Sequence, residues 1–147
     1  MIRFWVEGTP KAQPRSRRSF MRHGAPLVFD PGTAEGWKGE IALAARELRP
    51  AAPHDGPVEL VLHFFMPRPK SHSGAKGLKP TAPHEHTSKP DFDNLAKAVC
   101  DALTRLGFWR DDGQVWRSMV EKVYVPAGQR VGLEIIVHLD ERPTPTA

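Results

Sequence analysis

The sequence predicts an α+β domain with a small mixed or antiparallel sheet of about four strands and two main helices, in the order β-α-β-(long loop)-α-β-β. Three observations lead there. Apolar residues alternate at the two ends of the chain, at 2–7 and 131–139. They recur at helical spacing in two internal stretches, which start near Trp37 and Asp91. The length of 147 residues fits one domain with a core of its own.

Ile2, Phe4 and Val6 alternate with Arg3, Trp5 and Glu7, the pattern of a half-buried strand ended by Gly8-Thr9-Pro10. An irregular arm at about 10–26 sets Lys11, Arg15, Arg17, Arg18 and Arg22 among prolines. After the turn signal Asp30-Pro31-Gly32, a helix carries Trp37, Ile41, Ala44, Ala45 and Leu48 and is stopped by Pro50 and Pro53. Residues 57–66 read as a strand buried on at least one face. Residues 67–90 hold five prolines and three histidines without hydrophobic period, which predicts a mobile loop. A second helix at about 91–106 has Leu95, Val99, Ala102 and Leu106 as its apolar stripe, with Gly107 placed to end it. Strands at 114–125 and 131–139 follow, and residues 141–147 read as a frayed tail.

Composition narrows the function. No apolar run approaches the roughly 18 residues of a membrane span, and Glu7 falls where a signal peptide would have its apolar core. A single cysteine, Cys100, excludes an internal disulfide and a Cys-rich zinc site, so a reducing, cytoplasmic setting is expected. The net charge of +4 is unevenly spread. Residues 1–30 carry six Lys/Arg against two acids, and 51–90 five against three, whereas 91–112 carry five Asp against three bases. Basic flanks around an acidic centre suit a polyanionic substrate and a divalent cation; charge for solubility is the plain alternative.

The sharpest motif is Lys89-Pro90-Asp91-Phe92-Asp93-Asn94-Leu95-Ala96-Lys97. Pro90 suits a helix start, and Asp91 and Asp93 fall where the helix dipole favours negative charge. An N-cap explains one Asp; it does not explain two with Asn94 and a lysine in reach. Asp111-Asp112-Gly113 forms a second acidic site, readable as a plain turn when taken alone. Together they offer four carboxylates. Mg²⁺ is commonly held by one or two carboxylates plus phosphate oxygens, and phosphodiester hydrolysis needs a metal-activated water.

Gly8-Thr9-Pro10-Lys11, Pro14-Arg15, the run Lys89 to Leu103, Phe108-Trp109-Arg110-Asp111-Asp112-Gly113-Gln114-Val115 and Glu121-Lys122 resemble, in order, the RusA family of Holliday-junction resolvases. The resemblance implies a Mg²⁺-dependent homodimeric endonuclease, with Mn²⁺ as a substitute ion, that cuts four-way DNA junctions. It implies that Asp91, Asp93 and Asp112 are metal-binding catalytic acids and Lys97 the lysine near the scissile phosphate, with Asp111 a supporting acid and further metal candidate. Lys11, Arg15, Arg17, Arg18 and Lys89 are the expected DNA contacts. The chain departs from the family pattern in its long, His-rich 67–90 segment and in Gln13, where the arm is often more basic.

Geometry sets a condition on that site. A helix from Asp93 to Leu106 rises roughly 20 Å, and the six residues on to Asp112 span at most about 20 Å. The acids therefore meet in one subunit only if the chain doubles straight back; otherwise the helix is shorter or bent, or Asp112 comes from a partner subunit. A symmetric dimer also presents two equal sites to the two strands of a four-way junction. His63, His72, His84, His86 and His138 lack zinc-helix spacing and read as incidental. Trp5, Trp37, Trp109 and Trp116 read as core or interface, with Trp109 also open as a base-stacking platform. A non-catalytic nucleic-acid-binding module and a protein-interaction domain with the acids as helix caps are the competing readings.

Overall fold

The computed structural model describes residues 1–13, 21–22, 25–26 and 32–141. Its elements are β1 (Ile2–Glu7), β2 (Met21–Arg22), β3 (Ala25–Pro26), α1 (Gly32–Ala45), β4 (Val58–Met66), β5 (Ser73–Gly74), β6 (Gly77–Leu78), α2 (Phe92–Leu106), β7 (Val115–Tyr124) and β8 (Gly132–Leu139). The alternation read at the two ends of the chain appears as β1 and β8, the strand read at 57–66 as β4, and the two helical periodicities as α1 and α2. Within the segment read as an irregular arm, β2 and β3 pair antiparallel. Arg15, Arg17, Arg18 and the tail from 142 lie outside the described residues.

The main sheet has the order β1-β8-β4-β7. Strand β8 runs antiparallel to both β1 and β4, while β7 runs parallel to β4, so the sheet is mixed. A parallel pair needs a long crossover, and residues 67–114, α2 among them, supply it. One face of β4 buries Val58, Leu60, Leu62, Phe64 and Met66 in the core, with Trp37, Ile41 and Ala45 of α1 and Leu95, Ala98, Val99, Ala102 and Leu103 of α2. Lys38, only 4% exposed, lies 3.7 Å from Glu35 and 3.5 Å from Asp101, an ionic tie between the two helices. On the other face Arg3 pairs with Glu134 at 2.9 Å. Gly132 is required there, because a Cβ would overlap the Trp5 ring.

The 67–90 segment has elements and contacts that its composition does not reveal. Strands β5 and β6 form a small hairpin. The Arg68 guanidinium donates to the Val125 and Pro83 carbonyls at 2.9 and 2.7 Å and lies over the Tyr124 ring. His72 and His86, read as incidental, pack edge-on against that same ring. Tyr124 N–H donates to the His84 carbonyl and His86 N–H to the Lys122 carbonyl, so this segment covers the outer edge of β7. Lys122 Nζ then donates to the Ser88 and Pro90 carbonyls at 2.6 and 2.7 Å, which ties the chain to the strand just before Asp91.

Burial holds the His86 imidazole below its ordinary pKa of 6.5, and the neighbouring Lys122 charge acts in the same direction. As pH falls through 6.5 the unfolded chain takes up this proton before the folded one, so stability declines toward the lowered folded value. The expected result is a melting temperature that falls between about pH 7.5 and pH 5.5, and falls less in His86→Gln. Calorimetry of both proteins across that range checks it; equal slopes would remove His86 as the cause.

Candidate active site

The start of α2 is built by a strict amphipathic pattern. Leu95, Ala98, Val99, Ala102 and Leu103 are buried, which turns Asp93 and Lys97 outward. Asp91 occupies the N-cap position with extended backbone, and its carbonyl accepts from Leu95 N–H at 3.1 Å. Its side chain makes no cap hydrogen bond. The carboxylate is 41% exposed, with Lys89 Nζ 3.9 Å away. Phe92, between the two acids, is 58% exposed. Gln13 N–H donates to the Asn94 carbonyl at 3.0 Å, which anchors the root of the basic arm, with exposed Lys11, on the first turn of the helix.

The other end of α2 is built differently. Gly107 ends the helix with φ 91°, a left-handed conformation that glycine adopts without strain. Phe108 and Trp109 then enter the core and anchor the following turn. Trp109 is 1% exposed, so the base-stacking role left open for it is excluded. Asp111 accepts from Gly113 N–H at 3.0 Å and forms a capping box with Gln114. Gln114 uses its whole amide: Oε1 accepts from the Arg110 and Asp111 N–H groups, and Nε2 donates to the His54 and Gly56 carbonyls. Asp112 accepts a short hydrogen bond from the Thr104 hydroxyl. The sequence reading assigned nothing to Gln114 or Thr104. The Asp111-x-x-Gln114 spacing was a legible signal for the first; Thr104 had none, being eight residues away in sequence.

The candidate acids thus fall into two pairs. Asp91 and Asp93 stand at the N-terminal end of α2, and Asp112 with Asp111 near its C-terminal end. Eleven residues of helix from Asp93 to Thr104 rise about 16 Å. The return path agrees, since Lys122, bonded to the Pro90 carbonyl, lies seven residues along β7 from Val115, a run of about 23 Å. Among the described residues no three His, Cys, Asp or Glu side chains gather as a metal-holding group. His84-Glu85-His86 does not form one either. Asp101 pairs with Lys38. Cys100 is pushed up to about 12, first by burial and then by the Asp112 and Asp101 charges, so its thiol is no nucleophile at neutral pH. Trp116, read as core or interface, is 61% exposed.

Acid pairs thus stand at the two ends of one helix, with Lys89 and Lys97 near the first pair and Gln13 anchored on its first turn. Similarity to known proteins supplies the family. The family model described as endodeoxyribonuclease RusA matches residues 7–137, and the chain belongs to that family. It is 40% identical to the uncharacterized protein YqaN of Bacillus subtilis over 126 residues, 84% of this chain and 87% of that one. It is also 53% identical over 45 residues to the crossover junction endodeoxyribonuclease RusA of Escherichia coli K12, 31% of this chain and 38% of that protein. The RusA protein of Enterobacteria phage 82 matches to the same extent.

The Thr104–Asp112 bond gives a test of how the acidic turn is held. Thr104→Val keeps the shape and removes the donor. Partners of this kind around metal-binding carboxylates typically contribute 10–100-fold to affinity or activity. If Asp112 is a metal ligand, nicking of branched DNA falls by roughly that factor while the melting temperature changes little. Parallel nicking and thermal-melting measurements check it, and parental activity in the variant would show that Asp112 needs no such support.

Proposed function

We propose that this chain is a Mg²⁺-dependent endonuclease, able to use Mn²⁺, that resolves four-way DNA junctions by paired nicks as a homodimer. It would act in cytoplasmic DNA recombination and repair. One observation carries the reading: Asp91 stands at the N-cap position without capping the helix, so its carboxylate is not consumed by the structural role that position usually has. Asp93 stands exposed beside it. Two carboxylates with exposed oxygens are hard donors and fit Mg²⁺, which commonly takes one or two protein carboxylates plus phosphate oxygens.

The separation of the acid pairs supports a site completed across the dimer. Asp91 and Asp93 of one copy, with Asp112 of the second copy, would hold the ion, and Asp111 would support that turn. Bound there, Mg²⁺ supplies an activated water and charge neutralisation at the phosphate. Lys97 places an ammonium on the exposed face of α2, one turn from Asp93, to stabilise charge developing on the phosphate oxygens. Lys11, Arg15, Arg17, Arg18 and Lys89 would neutralise neighbouring phosphates and position the branch. A pure binding module is disfavoured because uncompensated carboxylates repel phosphate.

Cleavage of a synthetic four-way junction beside a linear duplex, with and without Mg²⁺, tests the activity. Asp91→Asn, Asp93→Asn and Asp112→Asn should each lower nicking by orders of magnitude while junction binding persists; Lys97→Ala should lose nicking and keep metal binding. Mixing Asp91→Asn chains with Asp112→Asn chains should restore single nicks without paired ones, because a mixed dimer regains one intact site. If the acids act within one chain, the mixed dimer also lacks an intact site and restores nothing. Parental nicking by both Asp91→Asn and Asp93→Asn would show these acids to be structural.

The arm has a separate signature. Each phosphate contact contributes about −0.9 to the slope of log binding constant against log salt. Replacing Lys11, Arg15, Arg17 and Arg18 together by Ala should flatten that slope by about three to four for every DNA sequence alike. An unchanged slope in filter-binding titrations would take the arm out of the interface.

A further inference from the structure

Strand β7 carries an irregularity where it leaves the acidic turn. Val58 pairs with Val115 and Glu59 with Arg117, so Trp116 is the extra residue of a bulge and has no partner on β4. Bulges re-aim side chains and are over-represented beside active sites. Here the bulged residue is the largest side chain available, is 61% exposed, and lies four positions from Asp112. It borders a cavity of about 480 Å³ lined by Gly56, Pro57, Asp111, Gly113, Gln114 and Asp140 besides Trp116 itself, within the usual size range of small-ligand sites.

The lining is specific in chemistry. Gln114 cannot address a ligand, because its amide is fully engaged by backbone groups. Gly56 fixes the wall: a Cβ there would come within 2.6 Å of the Asp140 carbonyl oxygen. The ionisable side chains of the lining are Asp111 and Asp140, both exposed, and no lining residue is cationic. The cavity therefore offers an aromatic face and carboxylate acceptors, and nothing to bind a phosphate.

We infer that this cavity receives one unstacked nucleobase next to the scissile phosphate, stacked on Trp116 and read by the Asp111 and Asp140 carboxylates. The inference rests on the nuclease reading above and adds a determinant of cleavage position to it. Proteins read an extruded base by stacking and by hydrogen bonds to its Watson–Crick edge. Carboxylates select edges rich in N–H donors. Guanine presents N1–H and its 2-amino group side by side and is the preferred occupant; thymine, with one donor between two carbonyls, is the poorest.

The experiment is a binding cycle in metal-free buffer on four-way junctions. An abasic residue is scanned across the nucleotides beside the branch point, against the parental protein, Trp116→Ala and Trp116→Phe. Trp116→Ala should weaken binding of intact junctions by about 5- to 150-fold, the range of base–aromatic stacking, and Trp116→Phe should retain most of the affinity. At one position the abasic residue should weaken the parent by a similar factor and leave Trp116→Ala unaffected. Guanine there should be bound in this buffer, and nicked once Mg²⁺ is added, in preference to thymine, and Asp140→Asn should reduce that preference. Parental affinity in Trp116→Ala, or additive losses at every position, overturns the base pocket while the parent's nicking keeps the nuclease reading intact. Loss of the dimer by Trp116→Ala in sedimentation also overturns it, by making Trp116 an interface residue. A parent that neither binds nor nicks branched DNA overturns both.

Discussion

A single rigid helix governs the layout of this protein. Helix α2 is seated by Leu95, Ala98, Val99, Ala102 and Leu103, which share one buried core with the β4 face of the sheet. Burial of apolar side chains of this size stabilises by about 1.5–3 kcal/mol each for the larger ones, and close packing tolerates no sliding. The helix therefore acts as a ruler. Its N-terminal end sets the position of Asp91 and Asp93, and Thr104 near its other end sets the position of Asp112. About 16 Å of helical rise lies between them. That distance is several times a Mg–oxygen bond of about 2.1 Å, too long for both acid pairs of one chain to hold a single ion.

Strand β7 is the return path that joins the two ends. It begins directly after the Gln114-stapled turn and ends at Tyr124, where Arg68, His72 and His86 converge. Between these points Lys122 reaches the Ser88 and Pro90 carbonyls. Its ammonium is partly desolvated, which lowers its pKa, while the nearby Asp91 charge acts the other way. A strand lying parallel to its neighbour in the sheet thus fixes both the acid turn and the segment that leads into the other acid pair. The proline-rich crossover is long because it must travel the length of this strand and cover its edge.

Much of this was legible in the residues. Period-2 alternation marked β1 and β8, an apolar run marked β4, and the stripe on α2 marked its buried face, because these patterns follow from local backbone geometry. Asp91, Asp93, Lys97, Asp111 and Asp112 stood out because unlike side chains with one chemistry in common were clustered within short spans. The 67–90 segment was not legible. Its order comes from Arg68, His72 and His86 closing on Tyr124, residues up to 56 positions apart with no periodicity to betray them. The outward turn of Trp116 was illegible for a similar reason, whereas Trp109 lies in the core, one of the two places its reading allowed. A tryptophan at a strand entrance carries no burial signal until the bulge at Trp116 is known.

Local chemistry, then, was determined by the sequence: which elements form, where α2 starts and stops, and which acids and lysines are available. Those properties depend on neighbours within a few residues, and the chain carries that information directly. Tertiary structure decided how the parts are shared. It left the Asp91 carboxylate without a capping role, placed Asp112 against Thr104, turned Trp116 outward and covered the β7 edge with a segment that has no pattern of its own. Each of these outcomes depends on contacts between residues distant along the chain, whose pairing is set by the packing of α2 and β7 on the sheet and by no local preference.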